Sequence, residues 1–462
     1  MIEVKAYSGL NHNELAAELG VDIAGCTRAE REEKLLVAAR QAWGDEMGNH
    51  LNGQFAFVLH DTETDELFCA RDPFGAELLF YYQTADGRLL YGLEIKDLFD
   101  QPGFVRELNR DMIPFYLEFT YVPGEDTLFK GVRKLEPGGF LRFGAQGLEL
   151  GRYWELAFEP DESKTLDDWA DEIEAAMEGA MRDICDEGEV PDSFLSGGVD
   201  SSYILAKGPT RRGFCVSYED QQVSEEEDAR ATAAYLGREF EGISVTPEDF
   251  FGNVDEFLLA YEQPSADVAG LSLYCGCKKV AEKSNLCFSG EGADEFFAGY
   301  SVYGNVKRVA AGPDPVYFGS THIMSPSEER RYLKEYNPRI TTRDFMKKRG
   351  AEGRKYDPLT WMLYVEFRSY FEGSILFNST KISRGTGLDI RMPFVDKRML
   401  DVALRMPARF KRDGEGNKVA LRKAASRVLP QEVAYRKKLG FPVPVSSWLR
   451  DPAANADIER AF

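Results

Sequence analysis

The spacing of apolar residues changes character twice along this chain. Residues 29–45, RAEREEKLLVAARQAWG, place apolar positions at helical intervals and close on a glycine, which predicts a helix. The period then shortens. GQFAFVLHD, ELFCARD, ELLFYYQ and LLYGLE are short β-rich runs separated by Asp, Gly and Thr, the pattern of an antiparallel sheet. PGGFLRFG and LELGRYW read as a closing hairpin. The acidic, weakly patterned EPDESKTLDD (159–168) then interrupts and marks a domain boundary.

Beyond it, helix and strand alternate. DDWADEIEAAMEGAMRDIC is an amphipathic helix, SFLS a short buried strand, and SSYILAKG a helix start. FCVSYE is the next strand, EEDARATAAYLG a helix, and LCFSGEG (286–292) a strand running into a glycine loop. Such alternation predicts a parallel sheet with ligands at the carboxyl ends of its strands. Both glycine-containing loops, after SFLS and after LCFS, fall at such ends and are expected in one cleft. The fold class is therefore α/β, with a β-rich antiparallel domain over 1–158 and a parallel-sheet domain over 159–462.

Composition narrows the function. The 462 residues carry a net charge of −22, so nucleic acid and anionic membrane are poor partners. No apolar stretch approaches the ~20 residues that span a bilayer. The first fifteen residues show no basic region followed by an apolar run, so no secretory signal is expected. Seven cysteines (Cys26, Cys69, Cys185, Cys215, Cys275, Cys277, Cys287) are scattered and odd in number, which fits a reducing cytoplasm. Cys275-Gly-Cys277 has no histidine near it, and buried structural thiols are the expected reading.

The chemistry concentrates in FLSGGVDSS, residues 194–202. There is no Gly-x4-Gly-Lys-Ser/Thr, so this is not the ordinary P-loop. A Ser-Gly-Gly between a strand and a helix nevertheless lets backbone N–H groups curl around an anion, with serine hydroxyls as further donors. Asp200 within it can hold Mg2+ against phosphate oxygens.

This string resembles the pyrophosphate loop of the ATP pyrophosphatase superfamily. FSGEGADEFFAGY (288–300), IRMPFVDKRMLDVAL (390–404), GNKVALRKA (416–424) and RKKLGFPVPVSSWL (436–449) follow in the order and character of the asparagine synthetase C-terminal domain. LNGQFAFVLHD, ARDPFG and YGLEIKDLF resemble later strands of that family's glutaminase domain. The resemblance implies an adenine nucleotide α hydrolase-like fold behind a degenerate Ntn-hydrolase-like domain. It also implies a reaction: a carboxylate attacks the α-phosphate of ATP, pyrophosphate leaves, and an amine converts the acyl-AMP to an amide. By the same resemblance, Ser196, Gly197, Gly198, Ser201 and Ser202 cradle pyrophosphate, and Asp200 and Asp294 hold Mg2+. Lys418 offsets phosphate charge during transfer. Leu195 and Val216 match adenine-pocket positions, Ser289 and Gly290 lie near the ribose, and Glu291 orders the acyl-AMP or relays the amine's proton.

The glutaminase motifs depart from the family pattern. Ile2 stands where a nucleophilic cysteine is expected, Cys26 is not its equivalent, and the Asn-Gly-Glu oxyanion motif is missing. Glu77 and Leu78 replace a basic residue and a proline. The front domain is therefore expected to be a scaffold without glutaminase activity. In SADVAGLSLY (265–274), Asp267 and Val268 occupy the stretch where a threonine and an arginine hold aspartate in bacterial relatives. Arg391 has two readings, structural or meeting a carboxylate. The expected function is an ATP- and Mg2+-dependent, AMP-forming amide ligase with aspartate as default acid and ammonia or an amine as acceptor. A separate ammonia-supplying protein and a homodimer are the candidate partnerships. β-Lactam synthetase-like or lasso-cyclase-like ligases are the same-class alternative; a catalytically silent binding or regulatory subunit is the other.

Overall fold

The computed structural model of the chain describes residues 2–186, 188–218, 225–309, 314–334, 341–414, 416–437, 440 and 443–450. Residues 438, 439, 441 and 442 of the RKKLGFPVPVSSWL motif lie outside the described residues. The chain gathers into two compact units. The first takes Met1–Asp161, Asp294–Phe377 and Val395–Ala408; the second takes Glu162–Ala293, Asn378–Phe394 and Arg409–Phe462. The first passage between them thus falls inside the acidic stretch 159–168, and four further crossings follow.

In the first unit the strands are β1 (Ile2–Leu10), β2 (Gly53–Asp61), β3 (Glu66–Arg71), β4 (Phe80–Gln83), β5 (Leu89–Gly92), β6 (Arg133–Lys134), β7 (Gly139–Gly144) and β8 (Gly147–Arg152). They form an antiparallel sheet β1-β2-β3-β7-β8 and a smaller one, β5-β4-β6. The alternation along β2 decides where its residues go. Phe55, Phe57 and Leu59 pack with Leu15, Leu35, Leu36 and Ala39 from the helices His12–Leu19 and Arg28–Trp43. Ala56 and Val58 face the other way, onto Cys69, Leu79, Tyr81 and Leu141. Both faces are covered, so the centre of β2 is apolar without a break.

The helix Arg28–Trp43 starts where Thr27 and Glu30 form a reciprocal capping box and stops at Gly44, whose φ is +57°. Later segments add a predominantly aromatic core around Phe115, Phe119, Tyr303, Trp361 and Tyr364.

In the second unit the strands are β9 (Asp192–Phe194), β10 (Arg212–Tyr218), β11 (Glu239–Val245), β12 (Leu286–Phe288) and β13 (Asp389–Arg391). All pair in parallel, in the order β11-β10-β9-β12-β13. The helix Leu166–Asp183 opens on a Thr165–Asp168 capping box and buries Trp169, Ile173, Ala176, Met177 and Ala180, one stripe of its surface. The strand order reverses between β9 and β12. In such sheets the crevice beyond the carboxyl ends of that pair receives ligands. No described helix is long and apolar enough to cross a membrane.

Candidate functional site

The loop after β9 and the loop after β12 occupy that reversal point. Leu195 continues from β9, its N–H donating to Phe214 O on β10 at 2.7 Å, and is buried against Gly213. The chain then turns through Ser196 and Gly197, and Gly197 takes a φ of +71°, where a side chain would be strained. Gly198 precedes the helix Val199–Lys207. The first-turn N–H groups of such a helix have no partner within it and carry its positive dipole end. Ser201 Oγ accepts from Ser196 N at 3.1 Å and lies 3.3 Å from Ser196 Oγ, so the two hydroxyls stand together at the loop. Ser202 is fully buried, and its Oγ has no hydrogen-bond partner.

The second loop comes close to the first. A Cβ built on Gly290 would lie 3.5 Å from Asp200 Cβ and 3.7 Å from Ser201 N. Ser289 N donates to Arg391 O at 2.9 Å, and Ser289 Oγ donates to Glu291.

Lys418 completes the arrangement. It is 1% exposed and sits in the left-handed region (φ 53°, ψ 36°) immediately before the helix Val419–Ala425. A non-glycine residue held there is strained, and such strain concentrates at functional sites. Lys418 Nζ donates to Asp200 Oδ2 at 2.5 Å. Asp200 Oδ1 is buried and has no hydrogen-bond partner among the described residues. An unsatisfied carboxylate oxygen beside an ammonium and a helix N-terminus is an unfinished site. Oδ1 can still take a donor or a cation, and the first-turn N–H groups stand beside it.

Sequence reasoning singled out neither Arg422 nor Arg436, although both lie in the quoted motifs. Arg422 Nε and Nη2 donate to Asn417 O and Oδ1, and its Nη1 donates to Ala434 O and Arg436 O. Arg436 Nη1 in turn donates to Gly197 O at 2.7 Å. Nothing in the residue pattern distinguishes these two cations from the lysines around them.

The chain matches the family model described as "Asparagine synthase" over residues 172–461 and the one described as "Glutamine amidotransferase domain" over 6–154. It is 31% identical to asparagine synthetase [glutamine-hydrolyzing] 1 of Bacillus subtilis, over 96% of this chain and 75% of that one. A putative asparagine synthetase [glutamine-hydrolyzing] of Mycobacterium tuberculosis is 31% identical over 95% of this chain and 74% of its own length. Asparagine synthetase [glutamine-hydrolyzing] 3 of B. subtilis is 26% identical over 92% and 74%.

The chain belongs to the asparagine synthase family. It is an ATP-dependent amide-forming ligase of that family.

Against that frame, the site residues fall into two groups. Leu195, Ser196, Gly197, Gly198, Asp200, Ser201, Ser202, Val216, Ser289, Gly290, Glu291 and Lys418 belong to the second unit, whereas Asp294 opens a segment of the first. Val216, on β10, packs against Gly276 of the helix Val268–Ala281, where a Cβ would come within 2.7 Å of Val216 Cγ2. Asp294 is 9% exposed, and its neighbour Glu295 accepts from Tyr300 Oη at 2.7 Å. Burial pushes Glu295 up to about 8, with the charge of Asp294 adding to the shift.

Arg391 is committed to ion pairs with Glu189 at 2.7 Å and Asp389 at 2.8 Å, and its Nη1 also donates to Ile184 O. Of its two readings, the structural one describes these contacts. Asp267 caps the helix Val268–Ala281 by accepting from Ala269 N, and accepts Asn378 Nδ2 at 2.6 Å. Cys275 and Cys277 are buried on the same helix, and burial pushes Cys275 up to about 12 and holds Cys277 well above the usual thiol range.

Proposed function

We propose that the chain activates a carboxylate, aspartate by default, as acyl-AMP with release of pyrophosphate, and transfers the acyl group to ammonia or an amine. The observation that carries this reading is the pair of buried Lys418 and half-buried Asp200 at the mouth of a helix N-terminus, with Asp200 Oδ1 left without a partner among the described residues.

Attack of a carboxylate oxygen on the α-phosphorus breaks the bond to the β-phosphate oxygen, and negative charge grows on the departing pyrophosphate. Lys418 and the N–H groups around Gly198 and Val199 are fixed beforehand where that charge develops, so little reorganisation accompanies the step. The serine pair Ser196–Ser201 adds hydroxyl donors.

Mg2+ fits this donor set in part. Asp200 Oδ1 is a hard oxygen with no partner, the ligand type Mg2+ prefers. Among the described residues no group of three or more His, Cys, Asp or Glu stands ready for a metal. A Mg2+ held by Asp200 would draw its other ligands from phosphate and water. When bound it would neutralise charge on the phosphate oxygens. Glu291 is proposed to take or relay the proton released by the amine. Its carboxylate accepts from Ser289 Oγ, which fixes it beside the loop.

We further propose that this chain does not itself hydrolyse glutamine. Residues 6–154 hold two cysteines. Cys69 lies fully buried in β3, and burial raises its thiol far above the usual range. Cys26 accepts from Lys34 Nζ, but the N–H groups of Cys26 and Thr27 are committed to Ile23 O and Glu30. The backbone donors at Cys26 are thus not available as an oxyanion pair.

The test is to supply ATP, Mg2+ and aspartate with and without ammonium, following AMP and asparagine, and separately to look for glutamate from glutamine. AMP formation dependent on an acid supports the ligase, and its absence with every acid tried would leave a silent binding subunit. Glutamate formation that persists in Cys26→Ala would overturn the second proposal.

A further inference from the structure

The loop Ser196–Gly198 is held by a residue outside the loop, and this has consequences for how it binds phosphate. Arg436 Nη1 donates to Gly197 O at 2.7 Å, and Arg436 Nη2 lies 3.3 Å from Asp228 Oδ1. Both side chains close over the same side of Gly197. A Cβ built there would meet Asp228 Cβ at 3.0 Å and Arg436 Nη1 at 3.2 Å.

A trans peptide points its C=O and the following N–H in opposite directions. Fixing Gly197 O on the Arg436 side therefore turns Gly198 N–H to the other side, where it meets Ser196 Oγ at a long 3.4 Å. That weak bond leaves the donor available to a stronger acceptor. Two successive glycines give the peptide almost no intrinsic preference for this orientation. Without an anchor it could turn its carbonyl toward an incoming phosphate, and two negative groups would then face one another.

Arg436 is itself placed by a buried cation. Arg422 Nη1 donates to Arg436 O at 2.9 Å, and the same guanidinium grips Asn417 next to Lys418. One side chain thus holds both Lys418 and the anchor of the loop.

We propose that Arg436 is a positioning residue, fixing the Gly197–Gly198 peptide so that Gly198 N–H serves the phosphates of the nucleotide. The proposal rests on the ATP-dependent ligase reading and deepens it.

It is tested by calorimetric binding of three probes to the full chain: the α,β-methylene analogue of ATP, inorganic pyrophosphate, and AMP. Arg436→Ala is expected to weaken the analogue and pyrophosphate about tenfold, the scale of one charge-assisted hydrogen bond, and to leave AMP unchanged. Arg436→Lys should fall between, because one ammonium cannot serve Gly197 O and Asp228 in the fork geometry of a guanidinium. Asp228→Ala should weaken the same two probes by less. Wild-type affinity for pyrophosphate in Arg436→Ala would overturn the proposal, and so would an equal loss for AMP, which would mean damage to the site at large. If Arg436→Ala does not fold, unchanged phosphate affinity in Arg436→Lys overturns it instead. Failure of the unmodified chain to bind the analogue would remove the ligase reading and this inference with it. Binding by the unmodified chain with insensitive variants would remove only the inference.

Discussion

Each unit of the protein contains a tight turn built around an aspartate after a strand, and the two turns have opposite hydrogen-bond inventories. In the first unit, Asp72 follows β3 and is fully buried. Its Oδ1 accepts from the N–H groups of Phe74, Gly75 and Ala76 at 2.8–3.0 Å, and its Oδ2 from Phe55 and Glu77. The neighbouring Arg71 donates to three backbone carbonyls and to Glu372 at 2.9 Å, and Glu372 also pairs with Lys134. The donors of this turn meet acceptors of the protein itself. In the second unit, Asp200 keeps one oxygen without a partner, Ser202 Oγ has none, and Gly198 N–H makes only a long bond. The difference teaches what separates a structural turn from a binding turn of similar composition. One completes its own bonds, and the other leaves some unmade at a cost in stability, as the proposed phosphate site requires.

Asp72→Ala should have the largest effect. It removes a side-chain acceptor shared by five N–H groups, most of them buried, and an expected loss on the order of 4 kcal/mol lowers the melting temperature by roughly 10 °C. A melting curve unchanged by this substitution would break the comparison on its structural side.

Asp200→Asn and Lys418→Gln, which remove the charge and keep a polar group, should slow AMP formation about 100-fold and lower the melting temperature by less than Asp72→Ala does. Near-normal turnover in either variant would break the comparison on its binding side.

Gly197→Ala sharpens it. The new methyl group meets Asp228 and Arg436 in a left-handed backbone that costs about 1–2 kcal/mol, so ATP affinity should fall about tenfold, read by nucleotide titration.

The smallest effect concerns a buried carboxylate between these extremes. Glu366 of the first unit accepts from Ser320 N at 3.2 Å and interacts with Tyr317, and burial raises it from an ordinary 4.5 to about 7. The folded chain then binds this proton more tightly than the unfolded one. Stability from this group is full below about 4.5 and declines as pH rises toward about 7. Glu366→Gln, which keeps the neutral shape, should therefore gain a few degrees of melting temperature relative to the unmodified chain between pH 5 and 8. An offset that does not grow with pH would show that the carboxyl stays charged.

Much of this was legible from the residues. The capped helix at 28–43, the strand GQFAFVLHD and the alternation of helix and strand after residue 165 follow from local periodicity, and the structure carries them. The glycine loops at strand ends and Asp200 within one of them were legible for the same reason: a turn, its cap and its polar groups are contiguous in sequence. The edge strand β1 and the strand β11 were not singled out, because IEVKAYSGL and EFEGISV mix charge and glycine among their apolar positions.

By itself the sequence determined most of the elements, their amphipathic faces and the position of the glycine loop after β9, since each depends on residues within a turn or two of one another. Only the tertiary structure decided the rest. It set the strand order that puts β9 beside β12, and the return of residues 294–377 and 395–408 to the first unit. It brought Lys418 onto Asp200 across 218 positions of chain, and Arg436 onto Gly197 across 239. Such pairings depend on which backbone groups folding leaves unsatisfied, and a buried donor or acceptor must find its partner wherever packing brings one within reach.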